Sequence, residues 1–368
     1  MILRKSICKS AALLMAISTS ALLAESTNRS SYAGAVFVMT NNNDANQILR
    51  FGRQANGALV PLGSTATGGR GSGGNVDPLG SQNSLLLTQD AGFLLAVNSA
   101  SGTLSSFEVQ GANLKLVEVK ASGGSAPNAI AQWGDLVYVL NTAGNSNVVG
   151  FHLEDGRLIR IPNGTSYLSS SISGGSSLAF TPDGKFLLAA ERATNKIDAF
   201  PVNTDGTLGK AVVNNYPGIF DLAITSGGIV LSAGGPTIGA SIVNANGAIT
   251  VLSDPTLLGG GACWVVTTPN GAFAYASNPG GSLIDGYSVS GSGVLTAIGN
   301  GNVGTTASTA KPLDLAVSFD GEYLYSNNGG DGSVGIWTIK ADGTLTAQTP
   351  VVLPTADASA GLNGIAAY

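Results

Sequence analysis

Few side chains in this sequence could do chemistry at neutral pH. Glu191 and Arg192 stand side by side. A carboxylate beside a guanidinium is a minimal set for moving a proton and holding an anion, as opening or closing a lactone requires. His152 is the only histidine and sits in the outer-strand pattern Phe151-His-Leu-Glu154. With no G-x-S-x-G elbow and no second imidazole, neither a Ser-His-Asp triad nor a histidine-held zinc is expected. Cys263 neighbours Trp264 and reads as a small buried residue rather than a nucleophile. Gly69-Arg-Gly71-Ser-Gly-Gly74 fits G-x-G-x-x-G by letter. The motif needs a following helix, and Asn75-Val-Asp-Pro78-Leu-Gly80 is no helix start. We read it as a long flexible loop over a binding mouth, with Arg70 as a ligand contact. No metal and no cofactor is expected.

The elements that must position these groups follow from a repeat. One unit reads as an apolar strand, an Asp-Gly-type turn, an apolar strand ending in a polar residue, and an alternating hairpin. The clearest copy runs from Leu178 through Phe186 and Glu191 to Leu208. The anchor opening the second strand recurs as Phe93, Leu136, Phe186, Ile229, Phe273 and Tyr323, at spacings of 43, 50, 43, 44 and 50 residues. That is the length of a four-stranded propeller blade. Asp-Gly and Asn-Gly dipeptides such as Asp183-Gly184, Asn270-Gly271, Asn56-Gly57 and Asp342-Gly343 mark the hairpins, where glycine supplies the positive φ that tight turns need. A seventh blade is split between the termini: Gly34–Thr40, Gln47–Phe51 and Ala58–Leu62 lack a first strand, and Asn363–Tyr368 resembles one. The expected fold is therefore all-β, a seven-bladed β-propeller closed by its C-terminal strand. Closure removes open sheet edges. Two stacked β-sandwiches are the rival, disfavoured because nothing interrupts the repeat.

In such a ring, the loops entering the first strands and those leaving the second strands share one face. Reading the entering positions gives Ser84, Asn128, Ser177, Asp221, Trp264, Asp314 and Asn363. Reading the second-strand ends gives Asn42, Asn98, Asn141, Glu191, Gly234, Asn278 and Asn328. A polar ring behind apolar strands must bond to itself, to water or to a ligand. From it we take Gln82, Asn98, Asn141, Asp221, Trp264, Asn278, Asp314 and Asn328, with Arg70, as candidate ligand-binding residues, and Glu191 with Arg192 as candidate catalytic ones. The alternative is that Asn and Asp close turns and hold channel water.

The ends and the charge balance place the chain in a compartment. Arg4, Lys5 and Lys9 precede an apolar stretch from Ala11 to Ala24, which reads as an export signal cleaved after Ala24. Residues 25–368 then form one domain, secreted or periplasmic, with no membrane span. The mature chain carries 14 basic and 22 acidic side chains, a net charge of −8. An acidic surface without a basic run argues against nucleic acid. Cys263 is then the only cysteine, so no internal disulfide forms. A monomer is expected, its partner a small polar molecule (a lactone, sugar or organic acid) or an extracellular protein.

Phe180-Thr-Pro-Asp-Gly-Lys-Phe-Leu-Leu188, Ala190-Glu-Arg-Ala-Thr-Asn-Lys-Ile197, Ala262-Cys-Trp-Val-Val266, Ala35–Asn42 and the segment to Gly80-Ser-Gln82 resemble the seven-bladed lactonase family. That family includes cycloisomerase-type 6-phosphogluconolactonases and carboxymuconate cyclases, and the resemblance spans the mature chain. It implies a funnel site with a histidine, arginines and a glutamate. Here Ser173-Gly-Gly-Ser176 stands where the family has the histidine, Leu231-Ser-Ala-Gly234 where it has the glutamate, and Asn278-Pro279 where it has an arginine. The resemblance implies an arginine in the fourth blade, which Arg192, or second to it Lys196, would match. The leading expectation is an exported propeller that binds a small polar ligand, or a partner, at its central funnel, with most of the catalytic set replaced. The alternatives are a lactone hydrolase or cycloisomerase using Glu191 and Arg192, or a cell-surface interaction protein.

Overall fold

The computed structural model describes residues 32–74, 76–254, 261–354 and 361–368. The expected signal segment lies outside the described residues. The described chain is all-β, and its sheets form seven antiparallel blades. In chain order they are blade 1 (34–66), blade 2 (85–121), blade 3 (125–167), blade 4 (175–215), blade 5 (221–253), blade 6 (264–305) and blade 7 (312–352). In blades 2 to 7 the first strand lies innermost. In blade 7 the fourth strand comes in two pieces, Leu345–Ala347 and Val351–Val352, both on the third strand.

Blade 1 takes its innermost strand from the other end of the chain. Ile365–Ala367 pairs antiparallel with Gly34–Met39, matching Val36 with Ala367, Phe37 with Ala366 and Val38 with Ile365. Arg53 fastens this seam. Its Nε donates to the Tyr368 carbonyl at 2.8 Å, and its guanidinium pairs with Asp320 of blade 7 at 2.8 Å.

The core lies between blades. One cluster joins Val36, Val38 and Phe51 of blade 1 to Tyr325 and Ile336 of blade 7. Another joins Tyr138 and Leu140 of blade 3 to Leu178 and Leu187 of blade 4. Strand side chains alternate between faces, so each blade offers one apolar face to each neighbour.

The repeated turns have repeated mechanics. After the first strand of blades 2, 4, 6 and 7, a Ser or Thr hydroxyl accepts from the N–H that opens the second strand: Thr88 from Phe93, Thr181 from Phe186, Thr268 from Phe273, Ser318 from Tyr323. The outer Xaa-Gly hairpins dock on the preceding blade. Tyr138, Tyr275 and Tyr325 donate to the carbonyls of Gly206, Gly343 and Gly57 at 2.6, 2.8 and 2.9 Å. Gly57 needs to be glycine twice over: its φ is +85°, and an added Cβ would lie 2.2 Å from the Tyr323 ring.

Candidate functional site: the capped mouth

The ring of side chains at the entry to the first strands is buried, and it stitches neighbouring blades together. Asn128 donates to the Gly175 carbonyl at 2.8 Å, joining blades 3 and 4. Ser177 accepts from Leu222 N–H at 3.3 Å, joining blades 4 and 5. Asp221 accepts from Val265 N–H at 2.7 Å, joining blades 5 and 6, and from Leu222 N–H at 2.6 Å. Asp314 accepts from Gly364 N–H, joining blade 7 to the closing strand. Burial pushes the Asp221 carboxyl up to about 7 and Asp314 well above the usual range.

A segment of the chain itself lies across this ring. The loop after blade 1 hydrogen-bonds from Gly71 and Gly73 to the Asn42 and Asn41 carbonyls at 2.8 and 3.0 Å. Past Asp77 it is caught from several sides. Leu79 N–H donates to Asn363 Oδ1, the Trp264 indole donates to the Ser81 carbonyl, and Ser81 Oγ donates to the Asn128 carbonyl, at 3.1, 3.0 and 2.7 Å. Gln82 N–H donates to the Ser176 carbonyl at 3.0 Å. Residues 76–83 thus cap the inner ring. The cap comes so close to Arg192 that a Cβ on Gly80 (φ +56°) would lie 2.2 Å from its guanidinium.

Three groups gather at the outer rim of the cap. Arg192 is exposed, its guanidinium 5.5 Å over the Phe220 ring, and Phe220 packs edge-on to Trp264 at 5.1 Å. Among the described residues no carboxylate lies within ion-pair distance of it. Asp77 is half-buried and accepts from Gly80 N–H at 2.8 Å. Burial raises its carboxyl, opposed by the Gly80 bond, Asn363 and the charge of Arg192. Cys263 is half-buried, and burial, reinforced by the charges of Asp77 and Asp221, pushes its thiol up to about 11. Such a thiol is protonated at neutral pH and a weak nucleophile. Sequence reasoning missed Asp77. The available signal was an acid directly before Pro78 at the end of a Gly-rich loop.

Glu191 and Arg192 share a strand end but face different surroundings. Glu191 is fully buried. Its Oε1 and Asp198 Oδ2 both accept the Ser169 N–H, at 2.8 and 2.7 Å. Ser169 Oγ donates to Glu191 Oε2 at 2.8 Å, and Thr194 Oγ1 donates to the same oxygen. Burial and the adjoining Glu191 push Asp198 up to about 7, with Lys196 pulling the other way.

Several other candidates clamp their own turns. Asn98 donates to Thr103 and Ser105 and accepts from Asn46 and Thr67. Asn141 donates to Asn147, Asn328 donates to Ser333, and Asn278 accepts from Gly281 N–H. In blade 1 the corresponding strand-end position is Thr40, paired with Gln47, rather than Asn42. Arg70 is exposed on the loop edge, held through its backbone to Ala100 and Ser101. Gln82 is buried within the cap itself. His152 pairs with Asp135 at 2.8 Å, in the outer strands of blade 3. Among the described residues no group of three or more His, Cys, Asp or Glu is placed to hold a metal.

No family model and no curated protein matches the chain. Solved structures do. A Bacteroides uniformis protein provisionally named a 6-phosphogluconolactonase superposes with a TM-score of 0.71 at 18% identity, over 91% of this chain and 99% of that one. The Pseudomonas aeruginosa periplasmic gluconolactonase gives 0.69 at 16% identity, over 91% and 99%. A Bacteroides fragilis protein, again provisionally a 6-phosphogluconolactonase, gives 0.65 at 20% identity, over 87% and 95%. Blade count, ring closure and these superpositions agree that the chain has the seven-bladed fold of the lactonase-like propellers.

Proposed function

We propose that this chain is an exported propeller that binds a small organic acid, of the sugar-acid or lactone class, at the capped mouth. The carrying observation is Arg192: an exposed guanidinium, oriented by Phe220, with no carboxylate within ion-pair distance among the described residues. A carboxylate seated there gains charge-assisted, bidentate hydrogen bonds, and Asp77 offers an acceptor for a ligand hydroxyl. The superposition on a periplasmic gluconolactonase supports both this ligand class and an exported location. Export predicts that protein recovered outside the cytoplasm begins at Glu25, which its intact mass reads directly.

The test is calorimetric titration of the mature protein with sodium gluconate at pH 7. The expected result is saturable binding that Arg192→Ala weakens at least tenfold, the loss of one charge-assisted contact of about 1.5–3 kcal/mol. Binding unchanged in Arg192→Ala overturns the proposal.

A second reading is lactone hydrolysis at the same mouth, and Asp77 beside Arg192 favours it. Water would add to the ring carbonyl, the ring C–O bond would break, and the proton would pass to the departing alkoxide. Arg192 would stabilise the oxyanion and a carboxyl group would carry the proton. The carboxyl is Asp77 if catalysis occurs at the rim, or Glu191 if the buried pair takes part. Acid release from glucono-δ-lactone separates them: loss in Asp77→Asn with retention in Glu191→Gln assigns Asp77, and the reverse assigns Glu191.

A further inference from the structure

Beneath the cap the central channel remains open. It forms a cavity of 690 Å³ lined by all seven first strands, with Gln82 and Asn83 at one end and Gln89, Gln132, Pro269 and Phe319 at the other. Its ends differ. Gln82 is 5% exposed at the capped end, while Phe319 is 45% exposed at the other. Exposure rises along the strands in the same sense: Asp221 and Leu222 are buried, Ala223 and Ile224 half-buried. The channel is therefore a blind well, entered from the face opposite the mouth.

Two features of the well have no structural task. Among the described residues no Asp, Glu, Lys, Arg or His lines it, and its half-buried wall residues, such as Leu86, Ala223 and Val266, are apolar. At the blind end Gln82 Oε1 is buried with no hydrogen-bond partner among the described residues. A buried carbonyl oxygen left unpaired is costly, and a ligand's donor seated there would relieve that cost. Its volume lies in the range of small-molecule pockets, about 300–1,000 Å³. We propose that the channel is a second binding site, independent of Arg192, for an uncharged, largely apolar molecule that carries a hydrogen-bond donor.

N-phenyl-1-naphthylamine has that chemistry, one N–H on an uncharged aromatic body, and it fluoresces when shielded from water. Its sulfonated relative, anilinonaphthalene sulfonate, adds a charge that the lining has no cation to meet. The mature protein should bind the first saturably at one site and the second at least tenfold more weakly. Ala223→Trp, which fills the well at mid-wall, should reduce affinity at least tenfold. Gln82→Leu should reduce it about threefold or more, and Arg192→Ala should leave it within twofold. If Ala223→Trp no longer melts cooperatively, Gln82→Leu decides alone. Fluorescence that never saturates, equal binding of the sulfonate, or affinity unmoved by the channel variants would show a channel that holds only water, and would overturn the proposal.

Discussion

Ser169 gives one backbone N–H to two carboxyl groups, and that sharing sets a pH dependence. Glu191 and Asp198 are close, buried and of like charge, so ionising both is costly and one proton is retained. Asp198, at about 7 in the folded protein against an ordinary 3.8, and Asp221, likewise about 7, bind protons in the fold that the unfolded chain releases. Their stabilisation is complete below about pH 4 and is lost as pH rises through about 7. Turn carboxylates act in the opposite sense. Asp183 is held down at about 2 by Lys185 and Thr181, so its contribution is present above about pH 4 and lost as pH falls through about 2. The melting temperature should therefore peak near pH 4 and fall by several degrees by pH 8. Asp198→Asn, which removes the second charge, should shrink that fall. A melting temperature that holds or rises from pH 5 to 8 contradicts this reading. The sequence shows that Glu191 ends an apolar strand. It does not show that Asp198, on the paired strand, turns to the same face. That pairing depends on strand register, which places Ala189 opposite Asp198.

At the scale of elements, the repeat makes most of the fold readable. Five of the six anchors are the first residues of their second strands; Ile229 falls one residue before Val230–Gly234. The reason is physical: five of the anchors follow a tight turn whose Ser or Thr hydroxyl fixes the register, accepting from the anchor's own N–H at Phe93, Phe186, Ile229, Phe273 and Tyr323. Blade 1 is less regular, with Asn41 at φ +53° just past its second strand, and the alignment there slips to Asn42. The outer hairpins carry a measurable contact. Tyr325→Phe leaves the buried Gly57 carbonyl unpaired and should cost about 1–2 kcal/mol, read as a shift in denaturation midpoint at constant slope. No shift would mean that the hairpin docks by packing alone. The closing strand matters more. Leu362 and Ile365 are buried, each contributing about 1.5–3 kcal/mol, and removing them also opens the ring. Deletion of Gly361–Tyr368 should abolish cooperative folding, since a domain of this kind holds only about 5–15 kcal/mol in reserve. An unchanged melting temperature in the truncation contradicts closure by the C-terminal strand.

For the whole molecule, a closed ring of radial blades explains why the polar ring is a poor guide to a ligand. First-strand side chains point at the neighbouring blade, so Asn128, Ser177, Asp221 and Asp314 meet backbone amides and carbonyls rather than open solvent. Polar type at those positions was readable; their partners were not, because the partners lie on other blades. The loop over the mouth was also readable from its glycines, but what it leaves uncovered was not. It covers the inner ring and leaves Arg192 and Asp77 at its edge, so the molecule presents a charged rim on one face and an uncharged well on the other. The most direct measurement is a crystal structure of residues 25–368 soaked in saturating sodium gluconate. A carboxylate within hydrogen-bond distance of the Arg192 guanidinium, at the edge of the 76–83 cap, is the predicted result. Gluconate bound at another position, or an Arg192 rim left empty at saturation, would contradict it.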